Sequence, residues 1–257
     1  MIAQHLPILQ VLLPLIAAPV CIFIRHPHVV WIWTVVISWI SLLMSVGLLL
    51  QVLDNGLIVY ELGDWAAPWG IEYRVDSLNA FVLVIVSMIG AVVMPYARKS
   101  VEKEIPASRI YLFYAMMLLC MTGLLGITIT GDAFNLFVFL EVSSLSTYVL
   151  ISFGNDRRAL TAAYRYLIMG TIGATFYIIG VGMMYMVTGT LNITDLGVLV
   201  PGMADNRTIQ AALAFLTVGL AIKAALFPLH MWLPNAYTYA PSAVTVFLAA
   251  TATKVAV

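Results

Sequence analysis

The chain has 257 residues, of which 63% are hydrophobic and only 9% are charged, whereas a soluble domain carries roughly 25% charged residues. Twelve Lys and Arg balance twelve Asp and Glu, so the net charge gives no indication of nucleic acid or of an acidic surface as a partner. A spanning helix needs about 20 mostly apolar residues, so this length allows on the order of eight crossings. The composition therefore excludes a soluble globular domain.

Apolar runs bounded by charged residues or by Pro and Gly predict eight helices along the chain. They cover residues 5–24, 29–52, 77–96, 110–130, 133–153, 160–188, 207–227 and 241 onward. The predicted fold class is all-α: a polytopic membrane helix bundle of about eight transmembrane helices.

The connection between the second and third helices has a different character. Residues 58–76 alternate β-branched and aromatic residues with polar ones, and Gly and Pro lie at the centre of the segment. This pattern predicts a short hairpin outside the bilayer.

The basic residues of the loops predict the orientation of the bundle. The first, third and fifth connections contain Arg25, the basic residues within 98–109, and residues 157–158, whereas the even connections contain only Arg74 and Arg207. Loops rich in Lys and Arg stay in the cytoplasm. We therefore expect a multi-pass protein of the inner (plasma) membrane with its N-terminus and its acidic hairpin outside.

The seventh helix is predicted to be broken. It runs into the segment 227–242, in which Pro228, Pro234 and Pro241 each remove a backbone donor. Within a membrane, such a break persists only where protein or a water-filled cavity satisfies the freed carbonyl groups. A broken helix at mid-depth is typical of an ion path.

Four ionisable groups remain within the predicted helices or at the break. They are Glu141, Lys223, His230 and Lys254. A charged residue costs roughly 2.5 to 3.5 kcal/mol at the centre of a membrane helix, so several such residues indicate function.

Glu141 and Lys223 have informative surroundings. Ser144 and Tyr148 follow Glu141 at helical spacing, which predicts a polar stripe facing the bundle. Gly219 lies one turn before Lys223 and allows close helix approach. Function is favoured for Lys223, while for Glu141 a purely structural ion pair is an equal alternative.

Two further groups have open interpretations. Lys254 shares a helix face with Thr251 and must find an acceptor for its ammonium group, or else extend toward the membrane surface. His230 is either a proton relay or a hydrogen-bonded linker residue.

The remaining polar positions have simpler interpretations. Arg165, early in the sixth helix, is predicted to anchor that helix at the cytoplasmic boundary. Asp132 is predicted to lie at a helix N-terminus, where the helix dipole favours it. The sequence contains no nucleotide-binding or nucleophile motif, and Cys21 and Cys120 lack metal-ligand spacing. We therefore expect no cofactor and no metal.

Four segments carry a resemblance to a known family. They are GDWAAPWGIEYRVDSLNAF, NLFVFLEVSSLSTYVLI, ALTAAYRYLIMG and AALFPLHMWLPNAYTYAPSAVTVFLAATATK. They resemble the antiporter-like subunits of NADH:quinone oxidoreductase (complex I) and, more closely, the D subunits of Mrp multisubunit cation/proton antiporters. The resemblance covers most of the chain after about residue 60.

The resemblance implies a domain organisation. The family fold has about fourteen helices, including two five-helix repeats of inverted topology that each contain a broken helix. Residues 1–109 would then hold helices one to three and the outward hairpin near 58–76. Residues 110–257 would form the first antiporter-type repeat, helices four to eight. The second repeat is not in this sequence, so we expect the chain to hold one half of an ion path.

The resemblance also implies roles for individual residues. The family's helix-five glutamate falls on Glu141, its broken-helix lysine on Lys223 and its eighth-helix lysine on Lys254. His230 matches a polar position of the break. Supporting positions would be Arg165, Asp132, Ser144 and Thr251.

The implied function is that of a membrane subunit of a multisubunit Na⁺/H⁺ antiporter, translocating protons through a buried Glu/Lys relay. Its partners would be other membrane subunits, protons, Na⁺ and the lipid bilayer, and it would be a transporter subunit rather than an enzyme. Two alternatives remain open. One is a proton-pumping subunit of a complex I-like NADH:quinone or ferredoxin-linked oxidoreductase, without a redox centre of its own. The other is a non-conducting assembly subunit.

Overall fold

The computed structural model describes residues 2–256, which form a bundle of helices with one small strand pair. Six described helices are long and apolar enough to cross a membrane. They are α1 (Leu6–Ile24), α2 (Pro27–Asn55), α3 (Ser77–Glu104), α4 (Ile110–Ile129), α5 (Ala133–Ser152) and α6 (Arg158–Thr188). The shorter helices are α7 (Ile193–Leu199), α8 (Arg207–Lys223), α9 (Leu233–Tyr239) and α10 (Ser242–Val255). All eight predicted runs form helices, so the predicted membrane bundle is confirmed, with its seventh and eighth helices as the shorter α8 and α10.

The predicted hairpin is present. Strands β1 (Ile58–Glu61) and β2 (Glu72–Val75) pair antiparallel, with Ile58 opposite Val75. The amide of Gly131 donates to the carbonyl of Glu72 at 2.9 Å. The hairpin therefore lies against the connection between α4 and α5.

The bundle has two chemically different ends. At one end, which we call the hairpin end, the 189–192 segment joins the hairpin region, because the amide of Ala133 donates to the carbonyl of Leu191 at 2.9 Å. At the other end, which we call the basic end, the guanidinium of Arg98 lies 4.7 Å from the ring centre of Trp31. The amide of Ser242 donates to Glu104 at 2.9 Å, and Arg158 donates to the hydroxyl of Tyr239 at 3.2 Å. The basic loops predicted to share one side of the membrane thus share one end of the bundle.

Glycines set the closest helix contacts around the site. A Cβ atom on Gly123 of α4 would lie 2.5 Å from the backbone nitrogen of Ser143 on α5. A Cβ atom on Gly219 of α8 would lie 2.8 Å from the carbonyl oxygen of Gly173 on α6. Small residues allow helix backbones to approach closely in membranes, and here they position α5, α6 and α8 around one buried region.

The break begins earlier than the sequence predicts. Helix α8 ends at Lys223, and turns follow until α9 begins at Leu233. Ala225 has a positive φ of 54°, which marks the departure from helical geometry. Pro234 occupies the first turn of α9, where a helix requires no backbone donor. Lys223 therefore lies at the edge of the break rather than within a continuous helix.

Candidate functional site

Lys223 is a buried lysine at the end of α8. It is only 7% exposed, and its Nζ donates a hydrogen bond to Oγ of Ser144 on α5. The same Nζ lies 3.9 Å from Oε1 of Glu141. The structure therefore brings together three of the residues that the sequence singled out.

Glu141 is the less constrained partner in this contact. Its side chain is 25% exposed, against 6% for that of Lys223. Oε1 of Glu141 is buried and has no hydrogen-bond partner. The carboxylate thus supplies a counter-charge without a hydrogen bond, while Ser144 supplies the hydrogen bond.

A small polar cavity adjoins Lys223. Its volume is about 20 Å³, and hydroxyl-bearing side chains form part of its wall: Ser143, Ser144, Thr147 and Tyr166. This volume is sufficient for about one water molecule. Ala252 and Ala256 also line the cavity, so it extends from Lys223 toward α10.

Aromatic residues connect the site to the break. Nε1 of Trp232 donates to the carbonyl oxygen of Ile222 at 3.0 Å. The ring of Trp232 stacks on that of Tyr166 with centroids 3.8 Å apart, and Tyr166 meets Tyr148 edge-on at 4.7 Å. The Tyr148 hydroxyl is buried without a hydrogen-bond partner. Contacts therefore run from α5 through α6 to the segment after α8.

Four residues of this site were not singled out from the sequence: Ser143, Thr147, Tyr166 and Trp232. Thr147 lies one turn after Ser143, so helical spacing from the polar residues of α5 could have indicated it. Tyr166 and Trp232 carry no comparable signal, because aromatic residues are frequent throughout an apolar chain.

Lys254 differs from its predicted setting. The sequence predicts it deep in a helix, whereas the structure places it exposed in the last turn of α10. Its Nζ donates to the carbonyl oxygen of Ala249 at 2.6 Å and to Oγ1 of Thr253 at 3.2 Å. Thr251 is buried and donates to the carbonyl of Phe247. The ammonium group is therefore satisfied by its own helix.

His230 and Arg165 lie apart from the cavity at Lys223. His230 lies in the break, its ring is 5.6 Å from that of Phe227, and its Nδ1 is buried without a hydrogen-bond partner. Arg165 is exposed and lines a surface cavity of about 200 Å³ together with Arg158. Neither residue is among the described residues that line the Lys223 cavity.

Asp132 occupies the N-cap of α5. Its carboxylate accepts a hydrogen bond from the backbone amide of Asn135 at 2.7 Å. Burial raises the pKa of this carboxyl group, while hydrogen bonds from the backbone of Asn135 and Phe134 act in the opposite direction. Asp132 therefore stabilises the helix that carries Glu141 and Ser144, in agreement with its predicted position at a helix N-terminus.

Within residues 2–256, no group of three or more His, Cys, Asp or Glu side chains is arranged to hold a metal ion. Cys21 and Cys120 are both buried and free. The chemistry of the described site thus comes from the lysine, the carboxylate and the hydroxyl groups.

The fold and the site define a class: a polytopic membrane subunit with a buried lysine and glutamate at a break in one helix. Comparison with known proteins gives the family. Residues 130–257 match the family described as NADH:quinone oxidoreductase/Mrp antiporter, TM. The chain belongs to this family of antiporter-like membrane subunits.

Two curated relatives of the chain belong to different kinds of membrane complex. The chain is 44% identical over 254 residues to the N subunit of the NADH-quinone oxidoreductase of Desulforudis audaxviator. It is 33% identical over 258 residues to the D subunit of the Na⁺/H⁺ antiporter of Alkalihalophilus pseudofirmus. These alignments cover 98% and 99% of this chain but 50% and 51% of the relatives. The chain therefore spans about half the length of the curated relatives that it matches.

Chains of similar structure also occur in different kinds of membrane complex. The membrane-bound sulfane sulfur reductase, an archaeal respiratory membrane complex, contains a chain with a TM-score of 0.92 and 30% identity, covering 98% of this chain and 51% of that one. The Mrp complex from Dietzia sp. DQ12-45-1b gives a TM-score of 0.87 at 26% identity, covering 100% and 47%. Both antiporter and redox assemblies thus contain subunits with this fold.

Proposed function

We propose that this chain is part of the proton-translocating membrane subunit of a multisubunit cation/proton antiporter, and that Glu141 and Lys223 form its proton switch. The observation that carries the proposal is a lysine, 7% exposed, whose carboxylate neighbour lies 3.9 Å away and shares no hydrogen bond with it. The comparisons support a place in such an assembly, because two of the relatives are named as subunits of Na⁺/H⁺ antiporters.

The switch depends on the cost of burying an unpaired charge. With Glu141 nearby, the Lys223 ammonium has a counter-charge. If Glu141 moves away, the ammonium is left buried beside a hydroxyl group alone, and an uncompensated buried charge costs several kcal/mol. Separation of the pair therefore favours release of the proton from Lys223.

In the proposal, the proton leaves Lys223 through the cavity beside it. Ser144 holds Nζ, and the hydroxyl groups of Ser143 and Thr147 line a space for about one water molecule that extends to α10. In the proposal, the proton continues to Lys254, with His230 as a relay at the break. Because neither residue lines the cavity, this step requires further water or a movement of the break.

A second candidate has a specific observation in its favour. The relative with 44% identity is a subunit of an NADH-quinone oxidoreductase, and the 0.92 TM-score belongs to a respiratory complex. In that candidate the same switch works in a redox-driven proton pump, and redox centres lie in other subunits. In either candidate we place the chain in the plasma membrane with the hairpin end outside.

The test uses everted membrane vesicles from cells that produce the complete complex. Glu141→Gln removes the counter-charge, and Lys223→Met removes the proton carrier. We expect each variant to lower dye-detected proton flux by at least about tenfold, because removing one partner of a buried pair leaves the other uncompensated. Glu102→Gln is the matched control, since it breaks an exposed ion pair with Arg98 and should leave the flux unchanged.

The outcomes separate the candidates. Flux that depends on a Na⁺ gradient supports the antiporter, and flux that depends on a quinone substrate supports the redox pump. If both switch variants assemble normally and retain full flux, the switch is wrong and the non-conducting assembly subunit is the better description.

A further inference from the structure

The structure has a polar cavity at the hairpin end that the proton switch does not use. Its volume is about 440 Å³, and its polar wall comes from Arg74 of β2, Asn79 of α3, Thr130 after α4 and Thr194 of α7. No carboxylate is among the described residues that line it. The cavity therefore presents one cation and several uncharged polar groups.

Hydrogen-bond donors in this cavity lack acceptors. Arg74 uses Nη1 to donate to Oγ1 of Thr194 at 3.0 Å, and it forms no ion pair within the described chain. Thr130 and Thr194 accept hydrogen bonds through Oγ1, but neither hydroxyl donates to an acceptor in residues 2–256. A guanidinium beside free hydroxyl donors is the donor set that binds a phosphate group.

The described acidic residues of the surrounding segments form no ion pair with Arg74. Asp76, two residues after Arg74, accepts from the amide of Asn79 at 2.8 Å as the N-cap of α3. Asp132 caps α5, and Asp195 accepts a hydrogen bond from the Thr190 hydroxyl at 3.0 Å. Glu72 is 8% exposed and packs beneath Gly131. Arg74 therefore lines the cavity without a carboxylate of the described residues within ion-pair distance.

An apolar groove of about 420 Å³ adjoins this cavity, between α6, α7 and α8. Aliphatic and aromatic side chains form it, among them Tyr177, Val181, Met184, Leu213, Leu216 and Leu220. The α8 residues that line the groove run from Leu213 to Leu220, a helical rise of about 10 Å. One leaflet of the hydrocarbon core is about 15 Å thick, so the groove accommodates part of an acyl chain.

Helix α7 separates the cavity and the groove, and both include Ile193 and Gly197 in their walls. A Cβ atom on Gly197 would meet nothing within 4 Å. The missing side chain therefore leaves open space where the polar cavity and the apolar groove meet.

We propose that this composite site binds one phospholipid from the leaflet at the hairpin end. The phosphate lies at Arg74, Thr130 and Thr194, and one acyl chain passes Gly197 into the groove. A phospholipid is the occupant because it joins a phosphate to an acyl chain, as the site joins the two environments, and because the chain is embedded in a bilayer that supplies it. The proposal rests on this geometry alone and is independent of the proton switch.

Native mass spectrometry of the complete complex in mild detergent tests the site, with dioleoyl phosphatidylglycerol added as the probe. We expect the wild type to retain one phospholipid. Arg74→Gln should lower its occupancy about fivefold, because a basic residue near the headgroup contributes roughly this factor. Gly197→Leu should abolish retention by filling the passage. Gly182→Leu, which also adds a side chain into open space, is the matched control and should retain the lipid.

Thr194→Val tests the phosphate contact with little change in shape, and we expect it to weaken retention while the complex stays intact. Three results overturn the proposal. Equal retention by all variants shows that the lipid lies elsewhere. Full displacement by inorganic phosphate shows an anion site without an acyl chain. Absence of lipid from the wild type, with a crosslink from position 213 to another polypeptide segment, shows that protein fills the groove.

Discussion

Trp232 compensates for hydrogen bonds that end with α8. The carbonyl of Ile222, one residue before Lys223, accepts from Nε1 of Trp232 at 3.0 Å and from the amide of Ala225 at 3.2 Å. A freed carbonyl in a membrane must find partners within the protein. The side chain of Trp232 thus stabilises the C-terminal end of α8, which positions Lys223.

Replacement of Trp232 by Phe tests this contact. Trp232→Phe removes the indole donor and keeps an aromatic ring for Tyr166, so we expect a loss of about 1 kcal/mol in stability and a lower thermal unfolding midpoint in detergent. Trp69→Phe is the matched control, because Trp69 is 88% exposed in the hairpin connection. Equal midpoints for the two variants would show that the hydrogen bond contributes nothing measurable.

The sequence predicts part of the site because buried charge is visible in an apolar run. Glu141 and Lys223 stand out by residue type alone, and Ser144 follows from helical spacing. Tyr166 and Trp232 could not be found this way, because their role depends on a stacking contact between α6 and the break. Lys254 was predicted to be buried, whereas it is exposed, and its ammonium group bonds to carbonyl and hydroxyl groups of its own helix.

At the scale of single elements, the start of α5 determines where Glu141 and Ser144 lie. Asp132 accepts from the Asn135 amide and is 7% exposed. Burial raises its pKa, so the folded state holds its proton at pH values where the unfolded chain has lost it. Between the ordinary and the raised pKa, stability therefore falls as pH rises.

Two replacements of Asp132 distinguish the effect of its N-cap hydrogen bond from the effect of its titratable carboxyl group. Asp132→Ala should cost about 1 kcal/mol through loss of the cap, whereas Asp132→Asn keeps the cap. We expect the Asn variant to lose the fall in stability with rising pH that the carboxyl group causes, as measured by thermal unfolding from about pH 4 to about pH 8. The expected direction would be wrong if, at pH values above the ordinary carboxyl pKa, the thermal unfolding midpoint of the wild type rose with pH relative to that of Asp132→Asn.

The α-helices of 14 or more residues were predictable, and the two shortest were not. Apolar runs bounded by charge located α1 to α6 within a few residues, except that α3 continues to Glu104 through a charged last turn. Helices α7 and α9 have only 7 residues each, too few for a hydrophobic period to emerge. Each is fixed by local features instead: Asn192 caps α7, and Pro234 lies in the first turn of α9.

At the scale of the whole molecule, the two ends of the bundle differ in charge. The basic loops lie at the end opposite the hairpin, which is the arrangement that the positive-inside rule expects when the hairpin is outside. Both native cysteines are buried and free. The wild-type chain should therefore react poorly with a water-soluble maleimide, which leaves a clean background for single added cysteines.

This background allows a test of orientation in intact cells. We expect Trp69→Cys, in the hairpin connection, to react with a membrane-impermeant maleimide added outside. Lys103→Cys, at the basic end, should react only after the cells are permeabilised. The reverse pattern would place the N-terminus in the cytoplasm and overturn the orientation.

The glycine contact between α6 and α8 limits how the site can move. Gly219 and Gly173 bring the two backbones so close that a Cβ atom on Gly219 would meet the carbonyl oxygen of Gly173 at 2.8 Å. Because sliding or rotation of α8 alone would disturb this contact, we expect α6 and α8 to move together, with Lys223 at the end of α8. In the proposed switch, the moving part of the charge pair would then be the Glu141 side chain, whose displacement requires only a rotamer change. In that case the position of Lys223 would stay constant, and the distance between the two charges would be set by Glu141 alone.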